Sequence, residues 1–314
     1  MFLGNALIVL AVCRFKELRR RKELLVLLTV PLADGLWGLT ALLNHALVLC
    51  RVLVLGVSIA PNFAENPFGC LAREPWVLGY CLAKQLIGLA LLTVSLDRLH
   101  AVASALRYKK LSTGHAYRIL LGLALYALFQ LVAMLLLSWN KAGGRVRCQT
   151  YTPLPLWYAT AFTSCFSAAL GLASVLAYFA MLWVYRQKQQ RATTGEINLA
   201  VSTSQKRLNA TVSVLVGFTT VFHVLPFALV CWVTLTGQAI EPRTRSVIFS
   251  YAWPVIKINS LVNIVVFAWK LKDVRRAILC LLKGEKFHGN QVQVSAATTT
   301  AVRHDARHKT LAVH

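Results

Sequence analysis

A handful of charged residues in this chain fall where charge is costly. Asp34, Lys84 and Lys257 each lie inside a long apolar run, and Asp97-Arg98 closes another. An ionisable side chain in hydrocarbon must pair, face a hydrated cavity or meet a ligand, so each is a candidate functional site. The chemistry open to them is electrostatic. A carboxylate can hold a cation, a buried amine can hold an anion or give up its proton, and an Asp-Arg pair at a helix end can be an interfacial ion pair. Covalent chemistry finds less support. There is no phosphate-cradling loop, no nucleophile constellation and, among eight Cys, no C-x-x-C pair to suggest a metal site, so an enzyme is not expected.

The elements that carry these residues are set by composition. Of 314 residues, 57% are hydrophobic and 14% charged, against about 25% charged in a soluble domain. Mean hydropathy is +0.59. Seven apolar segments are expected near residues 1–14, 24–49, 76–99, 115–138, 156–185, 206–235 and 247–269. Most match the roughly 20 residues that a helix needs to cross the hydrocarbon, and period-2 alternation is absent. The first is too short, and a truncated first segment is the expectation. The second can run on through Val52–Ala60 as helix or as a greasy outer loop. The fold class is therefore an all-α membrane protein, a seven-transmembrane helix bundle over 1–286. A disordered cytoplasmic tail is expected over 287–314.

The net charge of +23 orients the chain. With the N-terminus outside, the inner stretches hold 25 of the 34 basic residues, the first of them Arg14, Lys16, Arg19, Arg20, Arg21 and Lys22. The charge is spread between apolar runs rather than gathered on a soluble face, which argues against nucleic acid as a partner. Residues 269–282 alternate Lys270, Lys272, Arg275 and Arg276 with Val274, Ala277, Ile278, Leu281 and Leu282, the pattern of a short amphipathic eighth helix on the inner leaflet. Cys280 lies in it and is a candidate for palmitoylation. Cys70 and Cys148 fall in outer loops, where disulfides persist.

The stretch Asp97-Arg98-Leu99-His100-Ala101-Val102-Ala103-Ser104-Ala105-Leu106-Arg107-Tyr108 resembles the D-R-Y-x-A-[IV]-x-x-P-L-R-Y hallmark of rhodopsin-class G-protein-coupled receptors, with Leu99 for Tyr and Ala105 for Pro. Gly4-Asn5, Leu32-Ala33-Asp34 and the Pro226 of segment six match in order. Asn259-Ser260-Leu261-Val262-Asn263-Ile264-Val265-Val266-Phe267 is similar to N-S-x-x-N-P-x-x-Y, with Ile264 for Pro and Phe267 for Tyr. The Asp-Arg-Leu form and the altered seventh segment are similar to nematode chemosensory receptor families.

The resemblance implies a plasma-membrane receptor that couples an extracellular small-molecule or peptide ligand to heterotrimeric G proteins. Asp97 and Arg98 become the coupling switch. Asn5, Asp34, Asn259, Ser260 and Asn263 become a polar network in the bundle core, and Cys70–Cys148 becomes the outer disulfide. In the family the Asp34 position holds a sodium ion, and Lys257 nearby argues against one here. Lys84, Lys257, Trp232 and Trp253 are the ligand-pocket candidates. Asp34 can offset at most one of the two lysines, with Lys257 as its expected partner, so an anionic ligand is expected at Lys84. Opsins carry a retinal-binding Lys at the position of Lys257. Here Trp76 replaces their counterion and Val224 their segment-six Trp, so a photoreceptor is a lesser alternative and no cofactor is expected. A secondary transporter is another, without the repeat symmetry that would support it.

Overall fold

The structure is a computed structural model. It describes residues 1–55, 63–64, 66–141, 146–147, 154–155, 157–193, 203–236, 241–285 and 287.

Long apolar runs can satisfy their backbone in lipid only as helices, and this dictates the architecture. Among the described residues six helical spans are long and apolar enough to cross a membrane, and a shorter apolar helix precedes them; counted with that helix as the first, they are the second to seventh spans. Helix α1 covers Phe2–Arg14, followed by α2 (Lys16–Arg19), α3 (Lys22–Leu27) and α4 (Thr29–Leu55). The 13 residues of α1 rise about 20 Å, short of the roughly 30 Å hydrocarbon core. The second span starts at Lys22 and continues as helix to Leu55, so the apolar residues after Arg51 extend it; 56–60 lie outside the described residues. A two-residue antiparallel ladder joins β1 (Phe63–Ala64) to β2 (Val146–Arg147), a small exception to the all-helical expectation.

Before the third span the chain makes a separate helix, α5 (Pro67–Arg73). The side chain of Asn66 caps it by accepting from the Gly69 amide at 2.6 Å, and Pro67 occupies the first turn, where no amide is required. Pro75 then precedes α6 (Trp76–Ala103). This extra helix explains why Cys70 lies 27 residues before Asp97. The second inner connection is α7 (Ala105–Lys110), and α8 (Thr113–Asn140) is the fourth span. A π-helical turn, Tyr158–Cys165, opens the fifth span and runs into α9 (Phe166–Thr193).

The sixth span is α10 (Thr203–Thr219), a π-helical turn Thr220–Val224, and α11 (Leu225–Leu235). Pro226 has no amide to give to the preceding turn. The chain absorbs the defect as a π-helical turn, in which the Leu225 amide reaches back five residues to the Thr220 carbonyl. The seventh span is α12 (Pro242–Lys270). Leu271 leaves helical geometry, and α13 (Lys272–Lys283) is the amphipathic eighth helix. It ends at Gly284 in the left-handed region (φ 70°), a position that suits glycine. Phe287, at the start of the expected tail, is buried against Phe15 with ring centroids 5.1 Å apart; 288–314 lie outside the described residues.

Helix α6 is the central post. It packs on α9, α4 and α8 and carries sixteen buried residues, Lys84, Asp97 and Arg98 among them. Helix α8 is the opposite case. Leu121, Leu125, Leu128, Phe129, Val132 and Leu136 form an exposed stripe at helical spacing, suited to lipid.

Candidate functional site

The C-terminal end of α6, the inner end in the orientation expected from the basic residues, holds the first group. Asp97 and Arg98 are 6% and 1% exposed. Arg98 Nε donates to Asp97 Oδ2 at 3.0 Å, and Arg98 Nη2 makes a second bond to the same oxygen. A third residue closes the set. Ser104 breaks the helix (φ −129°, ψ 56°), α7 folds back, and the Tyr108 hydroxyl comes to lie over the pair. It accepts from Arg98 Nη2 at 2.8 Å and donates toward Asp97 Oδ1 and Oδ2 at 3.2 and 3.1 Å. Burial pushes the Tyr108 phenol well above its usual range, so it keeps its proton and stays a donor.

Two lysines from neighbouring elements hold this arrangement. Lys22 of α3 donates to the Tyr108 carbonyl and, at 2.9 Å, to the Leu111 carbonyl, while its ammonium sits 4.2 Å from the Tyr108 ring centroid. Lys188 of α9 donates to the Val102 and Ala103 carbonyls at 2.7 and 2.8 Å, capping the C-terminal end of α6 where a cation is favoured. The missing family Pro at Ala105 leaves this turn intact, because Ser104 supplies the break.

The second group lies in mid-bundle, where α1, α4 and α12 meet. Asn5 Nδ2 donates to Ser260 Oγ at 3.2 Å, and Asn263 Nδ2 donates to Asp34 Oδ2 at 2.8 Å. Asn259 is buried beside them on α12. Among the described residues, Asp34 Oδ1 and the single amide oxygens of Asn5, Asn259 and Asn263 have no hydrogen-bond partner. Such a cluster of oxygen acceptors could hold water or a small hard cation. The expected Asp34–Lys257 ion pair is absent among the described residues, and Lys257 is only half-buried. Six residues separate Lys257 from Asn263, which turns its side chain about 120° away and lifts it about 9 Å along the helix. Asp34 is thus committed to Asn263, and the main objection to a cation there falls away.

The third group lies where α6, α9 and α11 meet. Lys84 is 1% exposed, and its Nζ is 5.7 Å from the Phe227 ring centroid. Of the other pocket candidates, Trp232 is 55% exposed and stands apart. It follows Phe227 by five residues, about 140° round the helix, so it faces outward when Phe227 faces in. The side chain of Trp253 lies outside the described residues. Two neutral hydrogen bonds lie nearby: Tyr126 of α8 donates to Gln85 of α6 at 2.6 Å, and Tyr158 of the π-helical turn donates to Gln130 of α8 at 2.5 Å.

At the outer rim, Cys70 is fully buried and disulfide-bonded, while Cys148 lies outside the described residues. Arg51 Nη1 and Glu74 Oε1 form an ion pair at 2.5 Å, and Trp76 Nε1 donates to Glu74 Oε2 at 2.6 Å, which ties α4 and α5 to the start of α6. Cys280 on α13 is a partly buried free thiol packed against the core.

Sequence reasoning quoted Tyr108 as the last residue of the hallmark and gave it no role. It passed over His223 and Lys22 as well. A Tyr eleven residues after Asp97, beyond a helix break, was the available signal for the first. The other two announce themselves only in three dimensions.

The family model described as 7 transmembrane receptor (rhodopsin family) matches residues 4–267. The chain is also 28% identical over 297 residues to sphingosine 1-phosphate receptor 5 of Mus musculus, covering 89% of this chain and 71% of that receptor. With that match spanning the bundle whose inner end carries the Asp97–Arg98 pair, the chain belongs to the rhodopsin family of seven-transmembrane receptors.

Proposed function

We propose that this receptor sits in the plasma membrane with its N-terminus outside, and that it converts binding of an extracellular ligand into nucleotide exchange on a heterotrimeric G protein. The observation that carries the reading is the buried Asp97–Arg98–Tyr108 set at the inner end of α6. In the resting bundle Arg98 is held on its own helix. An outer ligand that favours the state in which Arg98 is released shifts the population toward coupling. Family membership favours this over a transporter. The chemosensory reading rests only on the Asp97-Arg98-Leu99 form and the altered seventh segment.

The ligand is proposed to be anionic. Lys84 supports this, as a cation buried in the outer half of the central post. The mouse relative is named for sphingosine 1-phosphate, a phosphate-bearing molecule, which points the same way. Charge-assisted contacts in a desolvated site contribute on the order of 1.5–3 kcal/mol, so Lys84→Met should weaken an acidic agonist by about one to two decades. The coupling arm is tested with Arg98→Ala in a cell line carrying a promiscuous G protein. Agonist-driven exchange should vanish while surface expression persists. Undiminished exchange would remove Arg98 from the mechanism.

A further inference from the structure

His223 is the most conspicuous unassigned polar group in the bundle. It is 1% exposed, and among the described residues neither Nδ1 nor Nε2 has a hydrogen-bond partner. A buried imidazole with both nitrogens unmet is expensive unless something else meets them. The side chain is placed inward by the π-helical turn Thr220–Val224, which resets the register of the sixth span just before Pro226. Turns of this kind recur at functional positions. The His223 ring lies 4.6 Å from the Phe227 ring, and the Lys84 ammonium lies 5.7 Å from that same ring. The two nitrogen groups thus flank one aromatic side chain, close enough to act on each other electrostatically.

The packing on the inward side is tight. A Cβ on Gly88, one turn inward of Lys84 on α6, would stand 3.0 Å from Leu170 Cβ. A Cβ on Gly171 would stand 2.8 Å from Val224 Cγ2. The first contact closes α6 against α9 one turn inward of Lys84, and the second closes α9 against the sixth span at the level of His223. A ligand reaching the pair comes from the outer side, and whatever part of it arrives first meets an ammonium, an imidazole and an aromatic face.

We propose that Lys84 and His223 form a two-point oxyanion subsite between α6 and the sixth span, taking the phosphate or carboxylate end of an amphiphile that binds head first. This rests on the anionic-ligand reading above and assigns it a second residue, an orientation and a preference. Lys84 supplies the point charge, and an oxyanion beside it keeps it protonated. His223 supplies a directional N–H to a second oxygen. A phosphomonoester has more oxygens to share between the two donors than a carboxylate and carries more charge, so it should bind more tightly.

The test uses the full chain in phosphatidylcholine nanodiscs, with matched twelve-carbon probes: dodecyl phosphate, dodecanoate, dodecanol and dodecyltrimethylammonium. Binding is read as saturable thermal stabilisation. The expected order is phosphate, then carboxylate, with the alcohol and the ammonium giving no saturable shift. His223→Phe should weaken dodecyl phosphate at least tenfold. His223→Gln, which keeps an N–H donor, should restore most of that loss, and Lys84→Met should abolish the preference for anions. Because His223→Phe could disturb folding, His223→Gln and Lys84→Met are each read against parent protein of equal monodisperse yield. Unchanged phosphate affinity in His223→Phe, with the Lys84→Met loss intact, overturns the two-point subsite and leaves the anionic-ligand reading standing. Equal stabilisation by all four probes, or preference for the ammonium, overturns both. Neither result touches the Arg98 test, which reads coupling.

Discussion

Lys84 and Asp97 lie on the same helix about 20 Å apart, and the protein treats the two ends of that span in opposite ways. At the inner end of α6 the charged groups are matched. Asp97 meets Arg98 and Tyr108, Tyr108 meets Lys22, and Lys188 caps the helix itself. In the middle of the bundle, by contrast, one oxygen of Asp34, the amide oxygens of Asn5, Asn259 and Asn263 and both nitrogens of His223 lack hydrogen-bond partners among the described residues. Buried polar groups matched by protein hold one conformation, whereas those left unmatched are held only by what enters. On the function proposed above, the difference separates the latch from the part that receives a signal. A receptor needs both: a resting state fixed by its own contacts, and a core whose polar groups gain when the ligand, water or an ion rearranges.

The comparison breaks most completely at Arg98. Its replacement by Ala should leave no agonist-driven exchange, as set out above. Next come the outer cysteines. We expect Cys70→Ser and Cys148→Ser each to reduce surface delivery strongly, and the double variant to be no worse than either, because two halves of one bond are not additive. Flow cytometry on tagged receptor measures this, and additive losses would show that the two act separately.

Tyr108→Phe should sharpen the inner half of the comparison. It removes one hydroxyl that serves both Arg98 and Asp97 while leaving the ring under Lys22. Hydrogen bonds to charged groups contribute about 1.5–3 kcal/mol, so the resting state should lose on the order of tenfold in population and basal exchange should rise correspondingly. Basal exchange equal to the parent would show that the ion pair holds without the phenol. Lys22→Met acts one step further out, through the position of α7. A smaller rise of about two- to fivefold is expected, and it should be absent when Tyr108→Phe is already present, since neighbours in one network are not independent.

How much of this the sequence could show depended on whether the information was local. The spans followed from hydropathy because the backbone in lipid has few options. Asp97 and Arg98 followed from a twelve-residue pattern at one helix end. Tyr108 was visible as a letter but not as a partner, because its role depends on the break at Ser104 that folds α7 back over the pair. The expected Asp34–Lys257 pairing rests on family position, and the angle round α12 decides against it. Asn263 and Lys257 lie on different faces of α12, and only the former faces α4. Trp232 was misplaced for the same reason. The π-helical turns at Tyr158–Cys165 and Thr220–Val224 leave no mark in composition, yet the second of them helps to bring His223 inward.

The smallest expected effect falls on the most visible salt bridge. Arg21 Nη1 and Asp273 Oδ2 are 2.5 Å apart and join the first inner connection to α13. Both side chains keep substantial exposure, at 44% and 34%, in contrast to the 2% of each partner in the Arg98–Asp97 pair. Water and salt screen an exposed pair, and ordering two side chains costs entropy, so the net contribution is typically about 0–1 kcal/mol. The position of α13 does not depend on it. Val274 and Ala277 are buried, and Phe287 packs against Phe15 just beyond the helix end. Arg21→Ala should therefore shift the thermal midpoint in detergent by no more than about 2–4 °C, and the shift should shrink further at high salt. Basal exchange should not change, because Arg21 touches neither Tyr108 nor Lys22 through any contact described above. A loss of stability that rivals Tyr108→Phe, or one that persists at high salt, would mean that α13 is held at its N-terminus by charge rather than along its length by burial. That would move this surface from the passive side of the comparison to the side that sets the resting state.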